Sequence, residues 1–262
     1  MLQLCTLASG SSGNSLLVSD GRTHVLIDAG ISARRITKSL RELGIEPGEL
    51  AGVLITHEHS DHISGLTTLT KQFSLPVYAS RGTGMQLCYR IAFLESCLRT
   101  FRPGESFEVG ELGVETFPTP HDTVESVGYA VTGCGRKAAV VTDLGEVTEA
   151  VAAGVKGALL LVAEANHDVE WVKSGPYPYF LKSRILGDHG HLSNEAGGAL
   201  ARSAVEQGAH TVVLAHLSAE NNTPARAYGT VRTCLELGGV DVERDIQLEV
   251  APRVETGRRY TV

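Results

Sequence analysis

The chain has 262 residues, of which 42% are hydrophobic and 20% are charged, and its formal net charge is −7 at pH 7. This composition is typical of globular proteins and excludes disordered and fibrous classes. No apolar run approaches the roughly 20 residues that cross a bilayer, and segment 1–10 lacks the basic start of a secretory signal. We therefore expect a cytoplasmic protein with no membrane contact, and the acidic charge disfavours nucleic-acid binding without excluding it.

Short apolar runs rich in Val, Leu and Ile recur along the chain and predict β-strands. In chain order they cover residues 2–7, 16–18, 25–27, 53–55, 113–117, 129–131, 138–141, 158–163 and 211–215. Between these runs, apolar residues at helical spacing predict α-helices. The first of them begins after the cap residue Ser32 and ends at Gly44. Further helices are expected near 64–73, 84–90, 146–153, 194–207 and 225–237.

The interleaved strands and helices predict an α/β fold with layered sheets. Turn pairs at Asp20-Gly21 and Cys134-Gly135 predict hairpins, so the sheets should be mixed. No repeat or linker divides the chain, and we expect a single domain over residues 1–262. The five cysteines are widely spaced, odd in number and never arranged as Cys-x-x-Cys, which argues against disulfides and a zinc knuckle.

The segment that directly follows run 53–55 concentrates groups able to bind metal. It contains His57, His59, Asp61 and His62 within six residues. In an extended backbone alternate side chains point the same way, so the first two imidazoles can approach one ion. The last two residues then face a neighbouring ion at the expected start of a helix.

Three other apolar runs also end close to a residue able to bind metal. They lead to His121, Asp143 and His216. Loops at one end of a layered sheet are where sites are assembled, so we expect all seven groups to converge. Seven nitrogen and oxygen ligands are too many for one tetrahedral ion but suit two ions about 3.5 to 4 Å apart. The expected arrangement is His57, His59 and His121 on one ion, Asp61, His62 and His216 on the other, and Asp143 bridging.

This pattern resembles the metallo-β-lactamase superfamily, whose His-x-His-x-Asp-His motif stands here at positions 57–62. The resemblance implies an αββα four-layer sandwich of two mixed sheets with helices outside, and a di-metal hydrolase centre at one edge. The chain lacks the large inserted domain of the β-CASP nucleases. The fold alone hosts esterases, thioesterases, lactamases, redox proteins and nucleases, so it does not settle the substrate.

Two further segments bear on the substrate. The Gly/Ser-rich loop 9–15 offers backbone N–H groups, hydroxyls and an amide to a phosphate through Ser11, Ser12 and Asn14, although a plain turn is an equal alternative. Glu164 ends an apolar run and His191 precedes a helix that Ser193 caps. A carboxylate bound to a histidine keeps the imidazole protonated and oriented, which suits proton donation to a leaving oxygen.

The chain is similar to the tRNA 3′-end processing endonucleases of the superfamily at Glu164 and His191. In those enzymes the corresponding Glu and His lie beside the scissile phosphate. The chain lacks their long substrate-clamping insertion, however. It resembles more closely the YycJ/WalJ-like group of small bacterial proteins, on segments 9–15, 57–62, 164–168, 190–194 and 214–222. This resemblance implies a 5′ to 3′ exonuclease acting on DNA, with a possible role in mismatch repair. Our hypothesis for the catalytic residues is that Asp61 orients the attacking water while it binds metal, and that His191, oriented by Glu164, protonates the leaving oxygen.

Several alternatives remain open. A small-molecule or cyclic-nucleotide phosphodiesterase is the second candidate function, and a non-catalytic metal-binding module is the third. The two divalent ions are expected to be zinc or manganese, and iron fits the same ligands. Five basic residues are either DNA-backbone contacts or a solvated face: Arg34, Arg35, Lys173, Lys182 and Arg184. Tyr177, Tyr179 and Phe180 either stack on bases or pack a proline-rich loop, and His167 and His189 are candidates for positions behind the site.

Overall fold

The computed structural model describes residues 1–262, which form two seven-stranded sheets that face each other. In spatial order the first sheet contains β14 (Arg259–Thr261), β1 (Gln3–Ala8), β2 (Ser15–Ser19), β3 (His24–Ile27), β4 (Leu50–Leu54), β5 (Val77–Ser80) and β6 (Leu98–Phe101). The second contains β13 (Gln247–Val250), β12 (Thr211–Ala215), β11 (Leu160–Glu164), β10 (Arg136–Val141), β9 (Val127–Gly133), β8 (Leu112–Pro118) and β7 (Ser106–Val109). Both sheets combine parallel and antiparallel pairs, as the sequence predicted.

The structure has nine α-helices, and the longer ones among them pack on the outer faces of the sheets. The nine helices are α1 (Ala33–Glu42), α2 (Ser60–Ile63), α3 (Leu66–Phe73), α4 (Arg81–Arg90), α5 (Glu149–Val155), α6 (Val169–Ser174), α7 (Tyr179–Leu186), α8 (Asn194–Glu206) and α9 (Pro224–Leu237). None of them is long and apolar enough to cross a bilayer. No inserted domain interrupts the sandwich, so the αββα architecture is confirmed.

The four layers follow from the alternation of side chains along each strand. On β12, Val213 and Ala215 point into the core shared by the two sheets, whereas Val212 and Leu214 pack under α8 and α9. On β2, Leu17 likewise points away from the shared core, towards the helices of the first sheet. Strands buried on both faces are apolar throughout, which is why the sequence predicted them so clearly.

The predicted turns and caps are present. The β9–β10 hairpin turns through Cys134 and Gly135, whose φ angles of 52° and 71° are those of a type I′ turn. Ser32 and Ser193 cap α1 and α8, because each hydroxyl accepts a hydrogen bond from a backbone N–H of the first turn.

Five strands and two helices were not predicted. The strands β6, β7, β13 and β14 lie at sheet edges and expose much of their surface, so they lack a continuous apolar run. The fifth strand, β5, is only four residues long and follows a proline. The helices α6 and α7 are short, and α7 buries no residue, so neither shows an amphipathic period.

Candidate metal centre and cleft

The sheets bring the metal-binding candidates to one edge. The parallel strands β3 and β4 of the first sheet end there, as do β8, β10, β11 and β12 of the second. Two hydrogen bonds join the sheets beside this edge: the Tyr129 hydroxyl donates to the Ile55 carbonyl at 2.6 Å, and the Val127 N–H donates to the Thr56 carbonyl at 3.1 Å. Ligands of open α/β sheets bind at the carboxyl ends of strands, and this edge has that geometry.

One group of three histidines forms half of the candidate centre. After β4 the chain continues through His57 and His59, and the loop after β8 brings in His121. Their ring centroids lie 4.7 to 5.2 Å apart, and one nitrogen of each lies within 4.8 Å of the others. The arrangement gives three imidazoles around one point, which suits a divalent ion.

A second group lies beside the first. The start of α2 presents Asp61 and His62, and His216 follows β12 directly. Asp61 Oδ2 lies 3.4 Å from His62 Nε2 and 3.5 Å from His216 Nε2. Asp143 stands between the groups, with its oxygens 3.3 Å from His62 Nε2 and 3.8 Å from His121 Nε2. The structure thus brings all seven predicted ligands together in the two sets expected, with Asp143 at the shared position.

Backbone conformation helps to aim these side chains. Asp28, Asp143 and His216 each follow a strand and adopt left-handed φ angles of 62°, 60° and 56°. Non-glycine residues rarely take this conformation, and such strain clusters at functional sites. The sharp turn redirects each side chain from the strand axis into the edge between the sheets.

The donor atoms fit divalent metal ions. Outer nitrogens are already bound: His62 Nδ1 lies 2.7 Å from Asp28 Oδ2, and His121 Nδ1 lies 2.9 Å from the Gly190 carbonyl. Buried inner atoms have no hydrogen-bond partner: Nε2 of His57, His121 and His216, and Oδ2 of Asp143. Buried polar atoms are normally satisfied, and a ligating imidazole normally has its other nitrogen held, so this pattern matches a metal centre.

The electrostatics of the cluster are those of groups that share protons or a cation. Burial lowers the pKa of His57 well below its usual value, and neighbouring histidines add to the effect. Burial also opposes charge on His216, but Asp143, Asp61 and Glu164 raise its pKa to about 10. The pKa values of these two buried imidazoles shift in opposite directions. This indicates a site in which carboxylates stabilise positive charge at particular positions.

Glu164 links the cluster to His191. Its Oε1 lies 2.8 Å from Nδ1 of both His191 and His216, and its Oε2 accepts the N–H groups of Leu144 and Leu192. Burial would raise the pKa of Glu164, but the two histidines lower it below its usual range. Burial likewise would lower the pKa of His191, yet the charge of Glu164 raises it. The carboxylate therefore stays ionised and favours protonated His191.

A cleft of about 250 Å³ opens onto this edge. Its polar walls include Asp61, Asp143, His191 and His216, together with Ser11 of the glycine-rich loop. The opposite wall comes from the segment around α7 and from the loop after β12: Tyr177, Leu181, Arg184, Ile185, Ser218, Ala219 and Glu220. A small polar cavity that reaches both ligand groups and His191 is suited to a charged ester.

The glycine-rich loop divides into two parts. Ser11 and Ser12 are exposed, and Ser11 lines the cleft. Asn14 is only 3% exposed: its Oδ1 accepts the Gly10 N–H, and its Nδ2 lies 3.4 Å from Asp61 Oδ2. This geometry favours a positioning role for Asn14 under Asp61, while phosphate binding by the two serines stays a prediction.

Two carboxylates at the site were not predicted from the sequence. Asp28 is buried behind His62, and it follows a strand in the same way as the predicted ligands, so that signal was present. Asp122 adjoins His121 in the chain, and its Oδ1 lies 3.4 Å from His121 Nε2 and 3.8 Å from His59 Nε2. Asp122 also pairs with Arg184 of α7, which connects the cleft wall to the first histidine group.

Other candidates lie elsewhere. Arg34 lines a groove between α1 and α3 outside the centre, and Arg35 donates to the Val254 carbonyl. His189 is exposed, and His167 is buried with no partner for its Nδ1. Burial lowers the pKa of His167 to about 4, so it is a neutral ring.

Known proteins resemble this chain over most of its length. A family model described as "Beta-lactamase superfamily domain" matches residues 23–217. The exodeoxyribonuclease YycJ of Bacillus anthracis is 35% identical over 261 residues, which cover 99% of each chain. The exodeoxyribonuclease WalJ of Streptococcus pneumoniae serotype 2 is 36% identical over 245 residues, a match that covers 92% of this chain and 91% of WalJ.

Solved structures share the fold. The metallo-β-lactamase fold protein YhfI of Bacillus subtilis superposes with a TM-score of 0.73 at 16% identity and full coverage of both chains. The sandwich, the clustered histidines and carboxylates at its edge, and the full-length relatives agree. The chain belongs to the metallo-β-lactamase superfamily and, within it, to the YycJ/WalJ-like group.

Proposed function

We propose that this protein is a di-metal phosphodiesterase that degrades DNA as a 5′ to 3′ exonuclease. The main support is His191, which lines the same small cleft as both ligand groups and is held from behind by the buried Glu164. The activity named for the full-length relatives YycJ and WalJ supports DNA as the substrate. A role in mismatch repair, and a cytoplasmic location, stay predictions.

The chain's own residues suggest how hydrolysis proceeds. Two divalent ions, zinc or manganese, would lower the pKa of water towards about 7 and offset charge on the phosphoryl oxygens. Asp61 borders the cleft and is positioned to orient the attacking water. Because Glu164 holds Nδ1 of His191, the Nε2 proton of the imidazolium is left for the leaving oxygen.

Replacing His191 with Ala tests the acid role. We expect turnover on DNA to fall by about 10² to 10⁴, since a positioned general acid contributes that factor, while bound metal is unchanged. The measurement pairs digestion of end-labelled duplex with elemental analysis of the protein. His59→Ala is the control, because it should lose both metal and activity. Full turnover in His191→Ala would remove the proposed role.

A second experiment addresses the end specificity. Ser11 lines the cleft and Ser12 is exposed beside it, so both are candidates to bind a terminal 5′-phosphate. We expect 5′-phosphorylated duplex to be degraded faster than the 5′-hydroxyl form. The Ser11→Ala variant should show a smaller ratio between the two degradation rates. Equal rates on the two substrates would argue against 5′-phosphate recognition.

The same assays separate the competing functions. Hydrolysis of bis(4-nitrophenyl) phosphate without degradation of DNA would favour a small-molecule phosphodiesterase. Bound metal with neither activity would favour a non-catalytic module. The partly exposed His191 argues against that module, because a structural metal site has no need of a proton donor at an open cleft.

A further inference from the structure

One wall of the cleft is a helical hairpin whose second helix packs poorly on the rest of the molecule. The hairpin comprises α6, the proline-containing turn after it, and α7. No residue of α7 is buried, although the helix is eight residues long. An isolated helix of this length is unstable in water, so its free face points to a role that core packing does not provide.

The two faces of α7 border two different concavities. Leu181, Arg184 and Ile185 line the cleft that contains the metal-binding groups. On the other side of α7 lies a second groove of about 570 Å³. It is lined by Lys173 of α6 and by four α7 residues at helical spacing, Tyr179, Lys182, Ser183 and Leu186. A helix is about 10 to 12 Å across, so the second groove begins one helix width from the cleft.

The exposed aromatic rings of the hairpin are unusual for a free surface. Tyr179 is 86% exposed and Phe180 is 72% exposed. The turn does not bury these rings, so packing of the proline-rich loop does not account for them. Clustered exposed apolar side chains mark interaction sites.

The charge beside these rings suits a polyanion. The outer groove contains Lys173 and Lys182 and has no acidic residue in its lining, in a chain of net charge −7. Lys182 donates to the Lys173 carbonyl at 2.6 Å, which holds its ammonium at the groove. Glu170 pairs with Lys173 at 3.0 Å at the rim. Aromatic side chains next to lysines are the usual platform for single-stranded nucleic acid.

We propose that the hairpin binds single-stranded DNA, with a base stacked on Tyr179 and the phosphates near Lys173 and Lys182. The proposal rests on the proposed nuclease function, because it assigns this surface to the part of the DNA strand that extends out of the cleft. Stacking on aromatic rings tolerates any base, so the surface adds affinity without sequence preference.

The test measures binding apart from cleavage. Fluorescence anisotropy compares the metal-loaded Tyr179→Ala variant with the metal-loaded parent protein, using a labelled single-stranded oligonucleotide whose phosphorothioate linkages resist cleavage. We expect the dissociation constant to rise about 5- to 100-fold, as for the loss of one base stack, and Tyr179→Trp to restore binding. Hydrolysis of bis(4-nitrophenyl) phosphate by the metal-loaded Tyr179→Ala protein should be unchanged.

Tyr89→Ala is the matched control, because Tyr89 is 90% exposed on α4, outside the hairpin. Unchanged binding in Tyr179→Ala, or equal losses in both variants, would overturn the proposal. A change of oligomeric state in Tyr179→Ala with unchanged DNA affinity would instead identify the hairpin as a self-association surface. Binding that depends on Tyr179 in a protein that never cleaves DNA would support the surface and refute the exonuclease.

Discussion

The orientation of a ligand histidine depends on what holds its second nitrogen. Behind His62 this group is Asp28, whose carboxylate also accepts the N–H and the hydroxyl of Thr56 at 2.9 Å each. The surroundings are fully buried, and burial raises the pKa of Asp28 while His62 opposes the rise. A buried carboxylate with this many donors fixes both the ring orientation and the tautomer of the histidine.

Replacing Asp28 with Asn should therefore weaken metal binding while keeping the shape of the side chain. We expect the affinity for zinc or manganese to fall by about 10- to 100-fold, the usual effect of losing such a partner. Titration calorimetry on metal-stripped protein measures it. Asp245→Asn, at an exposed carboxylate, serves as the control. Identical affinities in the parent and Asp28→Asn would contradict the positioning role.

At the residue scale, local chemistry decided what could be predicted. The cluster at positions 57–62 is recognisable because three imidazoles and a carboxylate rarely stand within six residues unless they bind an ion. Asp28 and Asp122 are single carboxylates, which occur after many strands and in many loops. Asp28 shares the position after a strand with the predicted ligands, but that position alone is too common to identify a site residue. The contacts with His62 and His121 identify the two carboxylates, and the contact of Asp28 joins segments far apart in the chain.

At the element scale, the site depends on close approach between backbones. The Asn14 N–H donates to the Asp61 carbonyl at 2.8 Å, and the Gly30 N–H donates to the Asn14 carbonyl at 2.7 Å. A Cβ atom on Gly30 would lie 1.6 Å from the Asp61 carbonyl oxygen. The segment before α1 can therefore contact the start of α2 only because residue 30 has no side chain.

Gly30→Ala should be strongly destabilising. We expect the free energy of unfolding to fall by about 3 kcal/mol, the upper end of the usual cost of overpacking, because the clash involves backbone that cannot move without shifting Asp61. Urea denaturation followed by circular dichroism measures the change. Gly229→Ala is the matched control, because Gly229 lies in α9 with no neighbouring atom within 4 Å. Alanine there should raise the free energy of unfolding by about 0.5 to 1 kcal/mol. Equal effects of the two changes would refute the close-approach argument.

The elements that the sequence predicted are those whose burial creates a pattern. Central strands such as β11 and β12 are buried at every position because both faces are covered. Edge strands such as β7 obtain their hydrogen bonds from a neighbour and need no apolar run. The hairpin helix α7 is held by its connections and its cleft contacts, so its sequence contains no core stripe.

At the scale of the whole molecule, ion binding and folding are coupled. The orphaned inner atoms of His57, His121, His216 and Asp143 occupy a buried edge that joins both sheets. Any ion that binds only the folded chain stabilises it by mass action, by about 4 kcal/mol at a concentration about 1,000 times its Kd. The metal centre should therefore act as a clamp between the sheets as well as a reactive site.

Metal removal should lower the melting temperature. We expect EDTA to reduce Tm by about 10 °C, since each kcal/mol shifts a protein of this size by roughly 2 to 4 °C. Scanning calorimetry measures the shift, and added zinc or manganese should reverse it. Asp143→Ala, which removes the carboxylate between the two groups, should show a smaller EDTA effect. A Tm unaffected by chelation in the metal-loaded parent would argue against a resident metal.

The pairing of β14 with β1 has a consequence for how the molecule is made. Leu2 and Val262 exchange both backbone hydrogen bonds, at 3.0 and 2.9 Å. During synthesis β1 consequently presents an open edge until β14 has been made, and that edge is exposed to unwanted pairing in the nascent chain. Because Leu2 and Val262 are neighbours, residues 1–262 should keep the same sandwich as a circular permutant in which a short peptide joins residue 262 to residue 1 and new termini are opened in an exposed turn.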